Sequence, residues 1–194
     1  MGWDHARPDW AAPLDVAERL RIVPASATVK GMFFDAPIDE AYRRSGQHLA
    51  RRAYFPFKDY PLREHIQVLV ACAMAAYPDA PVREGLRQLG RDAFRTFLES
   101  LSGRVLFSVA GRSFDAALGL VARSYAIAGP VGTATVKSRT RDAAVIHLQE
   151  IYNFPDAYHV GVFEAALSYF GEGNGEVLTL VRSPSDVDLK LALR

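Results

Sequence analysis

The sequence predicts an α+β fold in which N-terminal helices pack on a C-terminal antiparallel sheet of two hairpins separated by a helix. Three observations predict it. Residues 14–130 carry mainly helical apolar spacing, residues 131–194 carry alternating strand patterns, and one amphipathic helix interrupts those strands. Residues 1–13 are expected to form a loose arm. No linker divides the chain, so we expect residues 1–194 to fold as a single domain.

Composition narrows the class of protein. A hydrophobic fraction of 49% is ample for a core, and a formal net charge of +1 gives no overall attraction for nucleic acid. One cysteine excludes an intrachain disulfide framework and a cysteine-based zinc cluster. The N-terminus lacks a secretory pattern, and the longest apolar run, residues 68–77, is about half of the roughly 20 residues that a membrane helix needs. We therefore expect a cytoplasmic protein with no nucleic-acid partner and no membrane insertion.

Helices are predicted wherever apolar residues recur at helical spacing. The predicted helices cover residues 14–21, 38–52, 61–77 and 82–100, followed by a helix that Ser113 caps and Gly129-Pro130 ends. The sequence leaves the secondary structure of two segments undecided. Residues 23–34 fit an edge strand, a short helix or an extended segment, and residues 101–110 fit an extended segment or one more helical turn.

The first hairpin is predicted from two β-branched and apolar runs around a polar loop at residues 140–142. A three-residue loop places Val136 opposite Ile146 and Ala134 opposite Leu148, so that one face of the hairpin is apolar.

A helix and a second hairpin are predicted to complete the sheet-rich unit. Asp156 is predicted to cap the helix of residues 159–170, a glycine connector follows at residues 171–175, and residues 177–182 and 187–193 form the closing strands.

Catalytic signatures are absent from the sequence. It contains no P-loop, dinucleotide fingerprint, HExxH motif or nucleophile elbow, and its five histidines show no pairing at helical spacing. We therefore expect no enzymatic activity, no metal site and no cofactor. His159, next to Tyr158, is the best single candidate for a functional polar group, although a histidine that anchors a loop through a backbone hydrogen bond fits the same pattern.

A ridge of arginines recurs every four residues on the predicted helix of residues 82–100. These side chains could meet a phosphate or an acidic partner, while nearby Glu84, Asp92 and Glu99 favour a solvated, neutralised face instead. The ridge consists of Arg83, Arg87, Arg91 and Arg95.

Three stretches of the chain resemble a family of uncharacterised proteins of about this length that occurs as many paralogues in myxobacteria. They are VPASATVKGMFF at residues 23–34, the helix around residues 85–97, and residues 158–161. The resemblance covers nearly the whole chain and implies no known activity.

The order of elements over residues 61–194 is similar to the fold shared by heme-based nitric-oxide sensors, 4-vinyl-reductase-like domains and TRAPP subunits. That resemblance implies a ligand enclosed between helices and sheet, or a helical face used for dimerisation. In the heme sensors a histidine stands on the helix before the first hairpin and a Tyr-x-Ser-x-Arg motif follows it. Residues 113–128 contain no histidine and the motif is absent, so we expect no heme. The TRAPP likeness would allow an acyl chain only on Cys72.

Two functional hypotheses follow. The first is a non-catalytic sensory or regulatory domain that binds a small apolar ligand in a cavity lined by Cys72, Phe97, Tyr125 and the helix of residues 159–170, including His159 and Phe163. The alternative is an interaction module with a filled core, which forms a homodimer or docks through the arginine ridge or the aromatic segment of residues 54–60.

Overall fold

The computed structural model describes residue 3 and residues 7–108, 111, 113–170 and 175–192. Within these residues the elements are α1 (Val16–Ile22), β1 (Thr28–Lys30), α2 (Met32–Ser45), β2 (Asp59–Pro61), α3 (Leu62–Ala76), α4 (Val82–Glu99), α5 (Leu101–Phe107), α6 (Phe114–Leu118), α7 (Val121–Ala128), β3 (Thr133–Arg139), β4 (Ala143–Gln149), α8 (Tyr158–Tyr169), β5 (Glu176–Ser183) and β6 (Asp186–Ala192). Most of the predicted glycine connector and the predicted end of the last strand at residue 193 lie outside the described residues.

The predicted α+β architecture is confirmed. Four antiparallel strands form a sheet in the order β3-β4-β6-β5, so the two hairpins join through their central strands. The predicted register holds, because Ala134 pairs with Leu148 and Val136 pairs with Ile146. A bulge follows Val136 and shifts the pairing for the rest of β3. The inward face of the sheet is apolar and fully buried at Ile146, Leu148, Val187, Leu189 and Leu191.

The segment left open at residues 23–34 contains a strand and the start of a helix. Its strand β1 pairs with β2, and helix α2 begins at Met32, six residues before the predicted start, and ends at Ser45. Pro37 therefore lies inside the helix rather than ahead of it. Proline has no backbone N–H, so the carbonyl of Phe33, four residues earlier, receives no helical hydrogen bond from it.

Helices α5, α6 and α7 form a short helical chain between α4 and the sheet. The second open segment is helical over Leu101–Phe107, where Ser100 caps α5 by accepting a hydrogen bond from the N–H of Gly103. Ser113 caps α6 as predicted. The single helix expected after Ser113 is two helices, α6 and α7, separated at Gly119 and Leu120.

Two hydrophobic clusters make up the core. The first unites α2, α3 and the first half of α4 around Phe34, Ile66 and Leu69, and the second unites α6 and α8 with the sheet. Helix α8 packs most extensively against α4. The two backbones touch where glycines face each other, since a Cβ added at Gly90 would lie 1.9 Å from the carbonyl oxygen of Tyr158. The candidate site lies where the two clusters meet.

Candidate functional site

A cavity of about 150 Å³ lies between the helices and the sheet. Its lining draws on both core clusters and on every helix from α2 to α8, together with β1, β6 and the loop after β4. Most of the lining is aromatic or aliphatic, and its largest side chains include Phe33, Phe94, Phe97, Phe107, Tyr125 and Phe163. The arrangement is a mostly apolar pocket with a few polar groups, which is typical of small-molecule sites.

The structure brings four of the predicted site residues together. Phe97, Tyr125, His159 and Phe163 all line this cavity. The ring of Tyr125 stacks on Phe163 with centroids 6.4 Å apart, and it lies 5.4 Å from the ring of His159. Helices α4, α7 and α8 supply these four side chains.

Cys72 is a correction to the prediction, because it is not among the lining residues. It is fully buried in the first core cluster, and burial raises the pKa of its thiol to about 12. His65 and Leu62 are the α3 residues that line the cavity. Cys72 follows His65 by two helical turns, about 10 Å further along the axis, which carries it away from the pocket.

Three polar side chains form a hydrogen-bonded chain at the cavity wall. The hydroxyl of Tyr125 lies 2.7 Å from Nδ1 of His159, and Nε2 of His159 lies 3.1 Å from Oδ1 of Asn153. Because Oδ1 can only accept, Nε2–H donates to it and Nδ1 accepts from the Tyr125 hydroxyl. Burial lowers the pKa of His159 to about 3, and burial raises the pKa of Tyr125 above its ordinary value. The three hydrogen-bonded side chains are therefore neutral, and both ring nitrogens of His159 already make hydrogen bonds.

His65 is the functional candidate that the sequence reasoning missed. It is fully buried and lines the cavity, and its Nε2 lies 3.2 Å from the carbonyl oxygen of Phe33. A carbonyl oxygen only accepts, so Nε2 carries the proton and Nδ1 is a bare acceptor. That Nδ1 atom has no hydrogen-bond partner among the described residues. The available signal was a histidine in the first turn of an apolar helix, on the same helical face as Leu69 and Cys72.

The arginine ridge is a second correction, because three of its members bind carboxylates of this same chain. Arg83 pairs with Asp156, which also binds the buried Arg19 at 2.8 Å. Arg87 and Arg91 both bind Glu164 of α8, each at 2.8 Å. Arg95, one turn further along α4, is exposed. The ridge therefore fastens α8 to α4.

Asp156 likewise departs from its predicted role as a helix cap. The residue before α8 is Ala157, and no side chain caps the helix there. The carboxylate of Asp156 is instead taken up by the two arginines. The buried Arg19 and the partly buried Arg83 bind it through charge-assisted hydrogen bonds, which are stronger than those from the backbone N–H groups of a helix end.

The aromatic segment proposed as a docking surface is only half exposed. Tyr60 is buried, and Tyr54 stacks on Phe34 with centroids 3.9 Å apart. Phe55 and Phe57 are exposed. The segment therefore contributes two rings to the core and two to the surface.

A comparison with protein families identifies the group to which this sequence is related. Residues 22–192 match the family described as "Protein of unknown function (DUF2378)". The chain belongs to this family. A comparison with the curated proteins finds no match.

The DUF2378 chain is similar in fold to solved H-NOX proteins. An Fe(II) unliganded H-NOX protein from K. algicida is 13% identical, with a TM-score of 0.64 over 85% of this chain and 96% of that one. An H-NOX protein from S. oneidensis in the Fe(II)NO ligation state is 11% identical, with a TM-score of 0.66 over 85% and 99%. A third, from a study titled "Probing the function of heme distortion in the H-NOX family", is 19% identical, with a TM-score of 0.60 over 84% and 92%. The likeness extends over nearly the whole of those chains and shows a shared fold.

The described part of the DUF2378 chain has neither a metal-binding cluster nor a membrane-spanning helix. Residues 7–108, 113–170 and 175–192 contain no cluster of three or more His, Cys, Asp or Glu side chains that could hold a metal ion. Over the same described residues, no helix has the length and apolar character needed to span a bilayer.

Proposed function

We propose that this chain is a non-catalytic sensory or regulatory domain that binds a small apolar ligand in the cavity between its helices and its sheet. The cavity itself carries the proposal. Apolar cavities of about 150 Å³ stay dry and take up molecules of the size of benzene or xenon. The aromatic lining from Phe97, Tyr125 and Phe163 provides contact surface for such a ligand.

The position of the cavity supports a sensory role. Leu62 and Phe33 approach it from the first core cluster, whereas Phe94 and Phe163 approach it from the second. A ligand there would contact both clusters at once. Binding would then favour one arrangement of the two clusters over others, which is the way in which a ligand shifts a conformational equilibrium.

A heme, the group named in one of the H-NOX studies, does not fit the residues present in this chain. The cavity of about 150 Å³ suits one small ring and not a porphyrin. The described lining contains no arginine or lysine to pair with heme propionates. Of the two histidines in the lining, His159 has both nitrogens engaged, and the Nδ1 atom of His65 is fully buried with no surface open to the cavity. Residues 113–128 contain no histidine. The ligand we propose is therefore smaller than a heme and lacks its anionic groups.

Filling the cavity tests this function. Ala117 lines the cavity from α6, and its neighbour Ala116 in the same helix is exposed. Toluene, titrated by calorimetry, should bind the wild-type protein with one saturable site. Ala117→Leu should weaken that binding at least ten-fold, because its side chain occupies the space of the ligand. Ala116→Leu is the matched control and should bind toluene as the wild type does.

Stability measurements on the same variants separate a hollow interior from a filled one. A leucine at position 117 that enters a cavity should keep or raise the free energy of unfolding, whereas in a filled core it costs about 1 to 3 kcal/mol through overpacking. Equal toluene binding by the wild type and Ala117→Leu would refute the proposed site.

A further inference from the structure

We infer that ligands enter the cavity through a groove on the protein surface, and that the rings of Phe33 and Phe97 form the gate between the two spaces. The inference rests on the proposed function, since it concerns the route to the same cavity. The proposed function says where a ligand binds, whereas the gate sets how fast the ligand arrives and leaves.

The groove is a second space, of about 460 Å³. It lies between the start of α2, the loop before β2 and the junction of α4 with α5. Met32, Phe57 and Leu101 give it an apolar lining, and Thr96 lines it from α4. Phe57, Thr96 and Leu101 are exposed, so the groove is open to solvent.

A shared wall separates the groove from the cavity. Three residues line both spaces, namely Phe33, Ala93 and Phe97. A side chain that contacts both spaces stands between them. Because the side chain of Ala93 is a single methyl group, the two rings make up most of this wall. Their centroids lie 5.9 Å apart, and their planes are tilted by 32°. The wall therefore consists chiefly of two neighbouring rings.

The rings of Phe33 and Phe97 are less tightly enclosed than three other phenylalanines of the cavity lining. Phe33 and Phe97 are half-buried, whereas Phe94, Phe114 and Phe163 are buried. Side chains with exposed surface change rotamer on a picosecond-to-nanosecond timescale, and enclosed ones change more slowly. Both gate residues also lie near a helix end, at the start of α2 and in the last turn of α4, where helices fray. This part of the wall therefore opens most readily.

The backbone at Phe33 is held in place while its ring can turn. Pro37 has no N–H, so the carbonyl of Phe33 receives no helical hydrogen bond from that position. The Nε2–H of His65 donates to this carbonyl instead, at 3.2 Å. That bond ties the start of α2 to α3. Rotation of the Phe33 ring about its side-chain bonds therefore opens the gate without moving the helix.

Blocking the groove tests the route, because a change in the route alters rates and leaves the equilibrium unchanged. Exchange of fluorobenzene with the full chain, followed by ¹⁹F NMR, gives the dissociation rate, and titration gives the Kd. Thr96→Trp places a large ring in the exposed groove. It should slow association and dissociation alike, by about ten-fold, and keep the Kd of the wild type. Ala122→Trp is the matched control, because Ala122 is exposed on α7 and lies outside both linings, and it should exchange as the wild type does.

Removing one ring tests the gate itself. Phe97→Ala should raise the association rate constant about ten-fold, since half of the wall is gone. The same substitution enlarges the cavity and so changes the Kd, which calls for a control that enlarges the cavity elsewhere. Phe163 lines the cavity and not the groove. Phe163→Ala should therefore keep the association rate constant within about two-fold of the wild type.

The outcomes separate the gate from the binding site. An association rate constant that is equal in the wild type, Thr96→Trp and Phe97→Ala would overturn the inference, while fluorobenzene binding kept the proposed function standing. Equal increases in Phe97→Ala and Phe163→Ala would overturn it too, because the larger cavity would then account for both. Failure of fluorobenzene to bind the wild type would overturn the proposed function, and the inference with it.

Discussion

Two buried histidines give the cavity its polar character at the scale of single residues. His65 and His159 reach it from different helices, and neither has a carboxylate within its own hydrogen bonds to stabilise a positive charge. Burial lowers the pKa of His65 to about 4 and that of His159 to about 3, from an ordinary value of 6.5. Both side chains are therefore neutral in the folded protein at pH 7.

The depressed pKa values predict an acid-sensitive fold. Above about pH 6.5 the histidines are neutral in the folded and unfolded states, and their contribution to stability is fully present. Below that pH the histidines are protonated in the unfolded state but not in the folded state. Stability therefore falls until the pH reaches the folded-state pKa values, near 4 and 3. At pH 4.5 each histidine should have lowered the free energy of unfolding by about 2 to 3 kcal/mol, because one pKa unit corresponds to about 1.4 kcal/mol.

Urea denaturation at pH 7 and pH 4.5 measures this loss. His65→Gln should lose less stability than the wild type over that interval, by about the share of one histidine. The exposed His48 is the control, and His48→Ala should behave as the wild type does. Identical losses in the wild type and His65→Gln would contradict the assignment of His65 as a buried neutral side chain.

At the scale of single residues, the sequence predicted some members of the site and missed others. Phe97, Tyr125, His159 and Phe163 could be found because each lies on the apolar face of a helix, which is the face that packs against the core. Cys72 could not be separated from His65 by periodicity, since both lie on the buried side of α3, and only the position of the cavity along the helix distinguishes them. The role of His65 depends on Pro37, which seemed to precede a helix and in fact lies within one.

The contact between α4 and α8 is the central packing event at the scale of elements. Gly90 and Gly161 let the two backbones meet, because an added Cβ would lie 1.9 Å from the carbonyl oxygen of Tyr158 or 1.8 Å from that of Arg87, respectively. Arg87 and Arg91 then bind Glu164 beside the crossing. Small residues set the distance between the helices, and charge pairs fix their relative position.

Gly90→Ala tests this crossing. In an open helix the change from glycine to alanine gains about 0.5 to 1 kcal/mol through helix propensity. Here the methyl group meets backbone, and we expect a net loss of about 1 to 3 kcal/mol in the free energy of unfolding as α8 is pushed away. Gly119→Ala, whose Cβ would come no closer than 3.3 Å to Ala116, should change stability by less than about 0.5 kcal/mol. A neutral or stabilising Gly90→Ala would show that the helices do not meet there.

The sequence did not reveal the partner of the arginine ridge. The spacing of the arginines shows that they share a helical face, yet it does not show what that face meets. Their carboxylate partners, Glu164 and Asp156, follow Arg91 and Arg83 by 73 residues in each case. Pairing over such distances follows from the packing of α8 on α4, which local patterns do not contain.

At the scale of the whole molecule, the sequence predicted the order of the helices and strands most completely. The order of helices and strands and the register of the first hairpin follow from apolar periodicity and loop length, and the structure confirms both. The sequence could not decide between a hollow and a filled core, because both use the same apolar residues. Whether space remains between two core clusters depends on how far apart α3, α7 and α8 are held, and sequence patterns do not specify that distance.

The central claim is that a mostly apolar, ligand-sized space lies between the two core clusters. Xenon tests it most directly, because xenon enters apolar cavities of about 150 Å³ without needing any polar partner. In a crystal of the wild-type protein under xenon pressure, the anomalous signal should show one well-occupied atom beside Phe97, Tyr125 and Phe163, and Ala117→Leu should remove it. An interior without xenon under the same pressure would contradict the account.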